Sequence, residues 1–367
     1  MRITKVLLFL ILLLFSNKVY ALDINIQSKN AVLYNLTTNE ILYEKNKDEK
    51  VSVASLQKIM TVIVAIEKID DYSKKVIIKQ DDFKDLDSDL AVIGFKDNEE
   101  LTYDDLLYGT ILKSGADAAY KLALSISGSE EEYVKLMNEK ALKIGLRNTN
   151  FKNVIGLDQE NQYSSANDMY ILLKYALMNN KFKEVFTKSS YTTSDSMFSF
   201  NGPKVKAKKL DLNYFNGGKT GYTNNAGLCL ASYSLFNSNA FILITLGAPS
   251  ESKNQNYLDQ KEIYDYFKNN YSNKLILKKN TYITDIKYYN KKIKIYSDKN
   301  VYLFLNNYIT NDDIYIKYKG KTKVNRKTNF NNKVGTYYVM NNKKILYKKD
   351  IYLKKKKSKF NIFKLIK

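Results

Sequence analysis

The chain has 367 residues, of which 59 are Lys or Arg and 38 are Asp or Glu, so its formal net charge is +21. At about 150 residues per domain this length predicts two domains, and 44% hydrophobic residues are typical of a globular protein. The chain contains no His and one Cys, which excludes Ser-His-Asp and Cys-His triads, His-ligated zinc sites and an intramolecular disulfide.

The N-terminus has the pattern of a secretory signal peptide. A short basic start precedes ten apolar residues, 6–15, and the small residue Ala21 ends the segment. The apolar run is shorter than the about 20 residues that a membrane-spanning helix needs. We therefore predict export with removal of residues 1–21, and the alternative is an uncleaved anchor.

Loss of Arg2, Lys5 and Lys18 with the leader lowers the net charge by three, to +18. On an exported protein, this excess favours an anionic phospholipid or cell-wall polymer as a neighbour, and not nucleic acid. A compositional bias toward Lys, Asn, Ile and Tyr explains the charge equally well.

Ser55 and Lys58 are the first candidate site residues. They follow a β-hairpin predicted at residues 31–35 and 40–44, and they begin a helix predicted over residues 55–69, where positions three apart share a face. A desolvated lysine loses proton affinity and can act as the base that a chain without His requires. The same spacing recurs by chance at Ser250 and Lys253, and taken alone Ser55 is better explained as a helix N-cap.

Ser114 lies at a break between helices predicted over residues 103–113 and 116–126. A hydroxyl at such a break can relay a proton, although taken alone it is a helix cap. A capping box at Ser129 opens a further helix to about residue 144, and another helix is predicted over residues 165–178.

Lys219, Thr220 and Gly221 form the third candidate. Glycine lets a ligand approach a strand closely, and the Lys and Thr side chains can hold a substrate carboxylate. A phosphate-binding loop is excluded, because Asn213 occupies the place of its first glycine and no helix follows. Taken alone, the segment reads as a turn.

Strands and a helix are predicted around and after this segment. The strands are predicted at residues 216–220, 228–235 and 241–246, and the closing helix at residues 257–270. Together with the hairpin and the helical block, this order predicts one sheet covered by helices.

The C-terminal part has a different character. Short Ile/Tyr/Val/Phe segments between polar turns from about residue 274 predict a small all-β module, in which we find no catalytic motif. The tail, residues 351–367, has seven Lys and no acidic residue. As a helix its last 14 residues would span only about 21 Å, so we predict that it lies on an anionic membrane surface and does not cross it. The alternative is a frayed basic tail.

In this order, the three motifs resemble those of the serine-type D-alanyl-D-alanine carboxypeptidases, the low-molecular-mass penicillin-binding proteins. The family pattern is Ser-x-x-Lys, Ser-x-Asn and Lys-Thr-Gly, and it is matched here from Ser55, Ser114 and Lys219. Similar surrounding segments extend the resemblance over about residues 28–270.

The resemblance implies an α/β (α+β) penicillin-recognising, β-lactamase-like domain over residues 22–272, followed by the small all-β domain over residues 273–350. It implies three catalytic residues: Ser55 as the acylated nucleophile, Lys58 as its base and Ser114 as a proton relay. The substrate-binding residues that it implies are Lys219, Thr220, Gly221 and Tyr222, with the backbone amides of Ser55 and Tyr222 as the oxyanion hole.

The same resemblance implies the partners and the location. The substrates would be peptidoglycan stem peptides ending in D-Ala-D-Ala, with β-lactams as covalent inhibitors and with neither a metal nor a cofactor. The protein would act at the outer face of the bacterial cytoplasmic membrane.

Ala116 departs from the family pattern, which has Asn at this position to hydrogen-bond the lysine and the substrate backbone. Loss of such a bond costs about 1.5–3 kcal/mol, which is about tenfold to a hundredfold in rate if it is felt in the transition state. A smaller departure is Gln162, where His is frequent.

Three alternatives remain beside the carboxypeptidase. The first is a weak or inactive peptidoglycan-binding scaffold, and the second is a D,D-endopeptidase. The third, a β-lactamase, would need a deacylating Glu in a Glu-x-x-Leu-Asn segment, which the chain lacks between its second and third motifs.

Overall fold

The computed structural model describes residues 24–84, 90–288, 291–324, 333–342 and 344–352. The predicted signal peptide and most of the predicted tail lie outside these ranges, so both stay predictions. Among the described residues, no helix is long and apolar enough to cross a bilayer.

Strands open the chain, follow the helical block, and make up the C-terminal region. The described strands are, in chain order, β1 (Asn30–Asn35), β2 (Glu40–Lys45), β3 (Lys75–Ile77), β4 (Glu100–Thr102), β5 (Ser190–Thr192), β6 (Ser199–Asn201), β7 (Phe215–Thr223), β8 (Gly227–Phe236), β9 (Asn239–Ala248), β10 (Tyr271–Leu277), β11 (Tyr282–Tyr288), β12 (Lys291–Tyr296), β13 (Val301–Asn306), β14 (Ile314–Gly320), β15 (Lys323–Val324), β16 (Lys333–Asn341) and β17 (Lys344–Tyr352).

Most helices lie between the first hairpin and the long strands. The described α-helices are α1 (Lys58–Ile66), α2 (Tyr103–Tyr108), α3 (Ala116–Ser127), α4 (Glu130–Ile144), α5 (Ala166–Ala176), α6 (Asn180–Thr187), α7 (Pro203–Lys209) and α8 (Gln255–Asn270). A 3-10 turn, Ala54–Gln57, precedes α1, and a π-helical turn, Gly109–Lys113, follows α2.

A five-stranded antiparallel sheet in the order β2-β1-β9-β8-β7 forms the middle layer. Side chains alternate between its two faces with the period of two that strands impose. Val32 packs among residues of α1 to α6, whereas its neighbours Ala31 and Leu33 pack with α7 and α8. The prediction of a sheet covered by helices is confirmed.

Several boundaries differ from the predicted ones. The helix predicted from Ser55 to residue 69 is a 3-10 turn followed by α1, and the helix predicted over residues 103–113 changes to a π-helical turn at Gly109. Helices α6 and α7, the antiparallel strand pair β3–β4 and the hairpin β5–β6 were not predicted. These elements have three to eight residues, too few to show a clear period.

The C-terminal strands form three small sheets around one apolar core, drawn from residues 276–351. Strand β10 begins at Tyr271, two residues before the predicted division at 272/273, which stays a prediction. Ile351 and Tyr352, which we assigned to the tail, belong to β17, and Ile351 is buried in that core.

Phe304 of β13 joins this region to the rest of the protein. Its ring is buried, with its centroid 5.5 Å from that of Phe241 in the central sheet and 5.6 Å from that of Tyr271. We expect Phe304→Ala to lower the free energy of unfolding by about 3–5 kcal/mol, because it leaves a cavity between the two regions.

The measurement is denaturant unfolding, with Tyr302→Ala as the matched control. Tyr302 lies two residues away on the same strand but is 56% exposed, so its loss should change stability by less than about 0.5 kcal/mol. Equal effects of the two substitutions would contradict a role of Phe304 in joining the regions.

Candidate active site

Ser55 and Lys58 lie at the start of the central helix. In the 3-10 turn that holds Ser55, positions three apart lie one above the other, and Lys58 Nζ is 3.0 Å from Ser55 Oγ. Apart from Lys58 and Thr61, helix α1 is apolar, and it is buried along its whole length. Its packing therefore carries Lys58 into the interior, where the residue is only 2% exposed.

Burial changes the protonation of Lys58. It lowers the pKa of the Lys58 amine from its ordinary value to about 7, and the negative charge of Asp117 opposes part of this shift. At neutral pH a large fraction of these amines is therefore uncharged. An uncharged amine beside Ser55 Oγ can accept the hydroxyl proton.

Ser114 and Lys219 form a second bonded pair. Ser114 ends the π-helical turn in the left-handed region, with φ of +65°. Lys219 Nζ donates to Ser114 Oγ and to the Thr220 carbonyl oxygen, each at 2.8 Å. Lys219 is 1% exposed, and burial, followed by the positive charge of Lys58, holds its pKa well below the usual range.

Strand β7 passes directly beside the nucleophile turn because Gly221 has no side chain. A Cβ at this position would lie 3.0 Å from Ser55 N and 3.1 Å from Ala54 Cβ. Ala54 itself has φ of +47°, an unusual value for a residue with a side chain. The next strand residue, Tyr222, is 49% exposed. The close approach of β7 and the strained backbone of Ala54 thus both occur next to Ser55, as is typical of functional sites.

One cleft of about 570 Å³ collects these groups. The predicted site residues that line it are Ser55, Lys58, Ser114, Thr220, Gly221 and Tyr222. Lys219 reaches the cleft through its bond to Ser114. Three further lysines line it: Lys113, Lys206 and Lys253. They favour an anionic substrate. None of the three was predicted as a site residue, because nothing local in the sequence distinguishes them from other surface lysines.

A loop that was not predicted from the sequence holds Lys58 in place. The Ile155 carbonyl oxygen accepts a hydrogen bond from Lys58 Nζ at 2.6 Å. Asn153 shapes this loop, because its Oδ1 accepts from the amides of Ile155 (3.2 Å) and Gly156 (2.8 Å). Its Nδ2 donates to the Leu157 carbonyl oxygen at 2.8 Å. The only signal in the sequence was the pair of turn-forming residues, Asn153 and Gly156.

Gln162, noted above as a departure, braces the outside of the same loop. Its Oε1 accepts from the amides of Lys152 (3.0 Å) and Asn153 (3.3 Å), and its Nε2 donates to the Leu157 carbonyl oxygen at 2.5 Å. Gln162 therefore has a structural role in this chain.

The second motif is anchored by its backbone and by Asp117. The Ala116 amide donates to the Ala91 carbonyl oxygen at 2.8 Å. The buried Asp117 carboxylate accepts from the amides of Ile93 at 3.0 Å and Gly94 at 2.9 Å. These bonds hold the segment that contributes Ala91 to the cleft wall, and Ala116 lines the cleft with a methyl group.

Comparison with known proteins agrees with this geometry. Residues 17–250 match the sequence profile of the D-alanyl-D-alanine carboxypeptidase family, which is more than half of the chain. The chain belongs to the D-alanyl-D-alanine carboxypeptidase family. The matched region contains all three motifs of the cleft.

Two relatives show how far the similarity of this family member extends. The D-alanyl-D-alanine carboxypeptidase DacF of Bacillus subtilis is 35% identical over 271 residues, which cover 71% of this chain and 67% of the relative. The D-alanyl-D-alanine carboxypeptidase DacC of Escherichia coli is 30% identical over 256 residues, covering 65% of this chain and 62% of the relative. The similarity thus spans roughly two thirds of each protein.

The fold of this family member is that of solved penicillin-binding proteins. Penicillin-binding protein 5 of Haemophilus influenzae superposes with a TM-score of 0.73 at 23% identity, covering 89% of this chain and 96% of that protein. The predicted class, a penicillin-recognising, β-lactamase-like α+β domain followed by an all-β domain, is confirmed.

The pH dependence of acylation tests the geometry of Lys58. Below pH 7 its amine is protonated and cannot accept the Ser55 proton, so we expect the acylation rate to rise with pH through about 7. The measurement is the second-order rate constant for labelling by a fluorescent penicillin, from about pH 5 to about pH 9.

Lys58→Arg provides the control for this profile. Guanidinium stays charged across the range, so acylation should fall by at least about a hundredfold and lose its rise near pH 7. A wild-type rate independent of pH would show that Lys58 is not the base.

Proposed function

We propose that this protein is an exported D-alanyl-D-alanine carboxypeptidase that removes the terminal D-Ala from peptidoglycan stem peptides through an acyl-enzyme on Ser55. The observation that carries the proposal is the 3.0 Å approach of a buried lysine, Lys58, to the Ser55 hydroxyl in an open cleft. Family membership and the conserved order of the three motifs support it.

Substrate binding would place a negative charge beside Lys219. The terminal carboxylate of the peptide is held by Lys219 and the Thr220 hydroxyl, and Lys219 must be protonated to pair with it. In the free protein that proton is disfavoured, because Lys219 is buried and lies close to Lys58. An arriving carboxylate reverses this balance, so the positive charge settles on Lys219 and Lys58 stays neutral and basic.

During acylation one proton leaves the Ser55 hydroxyl and one proton reaches the departing amine. Ser55 Oγ attacks the carbonyl carbon of the penultimate D-Ala and gives its proton to Lys58. The amides of Ser55 and Tyr222 stabilise the developing oxyanion, a contribution of about 2.7–4 kcal/mol per donor. The proton passes by way of the Ser114 hydroxyl to the departing amine, and D-Ala leaves. Water then attacks the ester and gives its proton to Lys58. Ser55 Oγ leaves and takes that proton back, which frees the shortened peptide and restores the site.

Labelling by a fluorescent penicillin, combined with D-Ala release from a D-Ala-D-Ala peptide, tests this function. We expect the full chain to form a covalent adduct and to release D-Ala, and Ser55→Ala to lose both, because the nucleophile is gone. Ser238→Ala is the control: this exposed serine lies in the turn between β8 and β9, away from the cleft, and its variant should retain both.

The outcomes separate the alternatives. Absence of both signals from a folded wild-type chain would refute the enzyme and favour the peptidoglycan-binding scaffold, with Ala116 as the cause. Cleavage of cross-linked peptides in preference to D-Ala-D-Ala ends would identify an endopeptidase.

The location and the basic tail complete the proposal. Removal of the predicted leader would place the protein outside the cytoplasm, where its substrate lies. The tail of lysines and apolar residues would attach it to the outer face of the membrane. Because Ile351 is buried in the C-terminal core, a variant that tests the tail should end at Tyr352.

We expect deletion of residues 353–367 to abolish sedimentation with vesicles containing anionic phospholipid at about 0.15 M salt, because lysine contacts to headgroups and apolar insertion are lost together. Neutral phosphatidylcholine vesicles are the control for charge. Undiminished binding of the shortened chain to anionic vesicles would rule out the tail as the anchor.

A further inference from the structure

A second cleft, of about 710 Å³, lies on the other side of Tyr222 from Ser55. Tyr222 lines both clefts and forms the ridge between them. Its hydroxyl donates to Asn224 Oδ1 at 2.8 Å, so the side chain leans toward the β7–β8 turn, which is part of the second cleft. The two clefts therefore continue into each other along β7.

Four charged side chains of both signs surround the second cleft: Lys29, Glu49, Lys50 and Glu251. All four are exposed, and none forms an ion pair with another residue in the described part of the chain. A groove with unpaired charges of both signs suits a ligand that itself carries a free carboxylate and a free amine.

Three of these charges are held in place by neighbouring groups. The stem of Lys29 crosses Gly247, where a Cβ would lie 3.2 Å from Lys29 Cβ. Lys50 Nζ lies 4.5 Å above the centre of the Tyr163 ring. The Glu49 carboxylate accepts from the buried Asn30 amide group at 2.6 Å. The charges are thus positioned in advance of binding, which lowers the entropy cost of recognition.

The direction of the substrate follows from strand β7. If Lys219 and Thr220 hold the terminal carboxylate, the scissile bond lies at Ser55 beside Gly221, and the rest of the peptide leaves toward Tyr222. Extended peptides advance about 3.3 Å per residue. The residues that precede D-Ala-D-Ala therefore run past Tyr222 toward the second cleft, whereas a blocked D-Ala-D-Ala dipeptide lacks them.

We propose that the second cleft is a subsite for the part of the stem peptide that precedes D-Ala-D-Ala, and that Lys29 and Lys50 bind a free carboxylate of that part. The inference rests on the proposed carboxypeptidase function. It names a substrate-binding surface outside the three motifs.

The experiment compares two substrates on the full chain. The short one is N-acetyl-D-Ala-D-Ala, and the long one is a pentapeptide ending in D-Ala-D-Ala with a free carboxylate on its second residue and a free amine on its third. Wild type should hydrolyse the long substrate with the higher kcat/KM. Lys29→Ala combined with Lys50→Ala should lower kcat/KM for the long substrate about fivefold and leave the short one unchanged.

Lys183→Ala is the matched control, because Lys183 is also exposed and its Nζ also lies above a tyrosine ring, 5.5 Å from that of Tyr233, outside both clefts. Lys183→Ala should change kcat/KM for neither substrate. The effect of the double variant should shrink at high salt, as expected for exposed charges.

The results separate the inference from the proposed function. Equal kcat/KM of wild type for the two substrates, or an equal loss on both in the double variant, would overturn the subsite and leave the carboxypeptidase standing. Hydrolysis of neither substrate by the folded wild type would overturn both.

Discussion

Burial of Lys58 is the constraint on which the site depends. A chain without His has no side chain that titrates near neutrality without help, and desolvation is what brings an amine with an ordinary pKa above 10 to about 7. That desolvation exists because α1, which is apolar apart from Lys58 and Thr61, is enclosed by the surrounding helices and the sheet. The hydrophobic core of this domain is therefore also the means of activating its nucleophile.

A buried amine is tolerated only where its hydrogen bonds are made. Lys58 has the Ile155 carbonyl oxygen at 2.6 Å, and Lys219 has the Ser114 hydroxyl and the Thr220 carbonyl oxygen at 2.8 Å. Because these acceptor oxygens belong to uncharged groups, they satisfy the N–H donors of the two lysines without favouring the protonated amines. A carboxylate at the same distance would raise the pKa values of both lysines. Asp117, whose negative charge raises the pKa of Lys58, accepts hydrogen bonds from the backbone amides of Ile93 and Gly94.

Within each motif the geometry is local, because Ser55 and Lys58 are one turn apart and Lys219 to Tyr222 are consecutive in one strand. Taken alone, neither motif indicated a site. Their order along the chain together with Ser114, as in the family pattern, is what predicted the site residues. The contact between Lys58 and Ile155 joins residues 97 positions apart, and neither hydrophobic periodicity nor composition predicts such a contact. For the same reason the small helices α6 and α7 and the second cleft, which is built from five separate segments, emerge only when the chain is folded.

These contacts also bear on Ala116. The family pattern has Asn at this position, with the expected role of hydrogen-bonding both the lysine and the substrate backbone. Here the lysine has a hydrogen-bond partner in Ile155 that does not involve residue 116, and Asn153 and Gln162 hold that partner in place. Placement of the base therefore does not depend on the missing amide. What Ala116 would cost is a hydrogen bond to the substrate backbone. Substrate binding in the proposed second cleft would offset the loss of that bond.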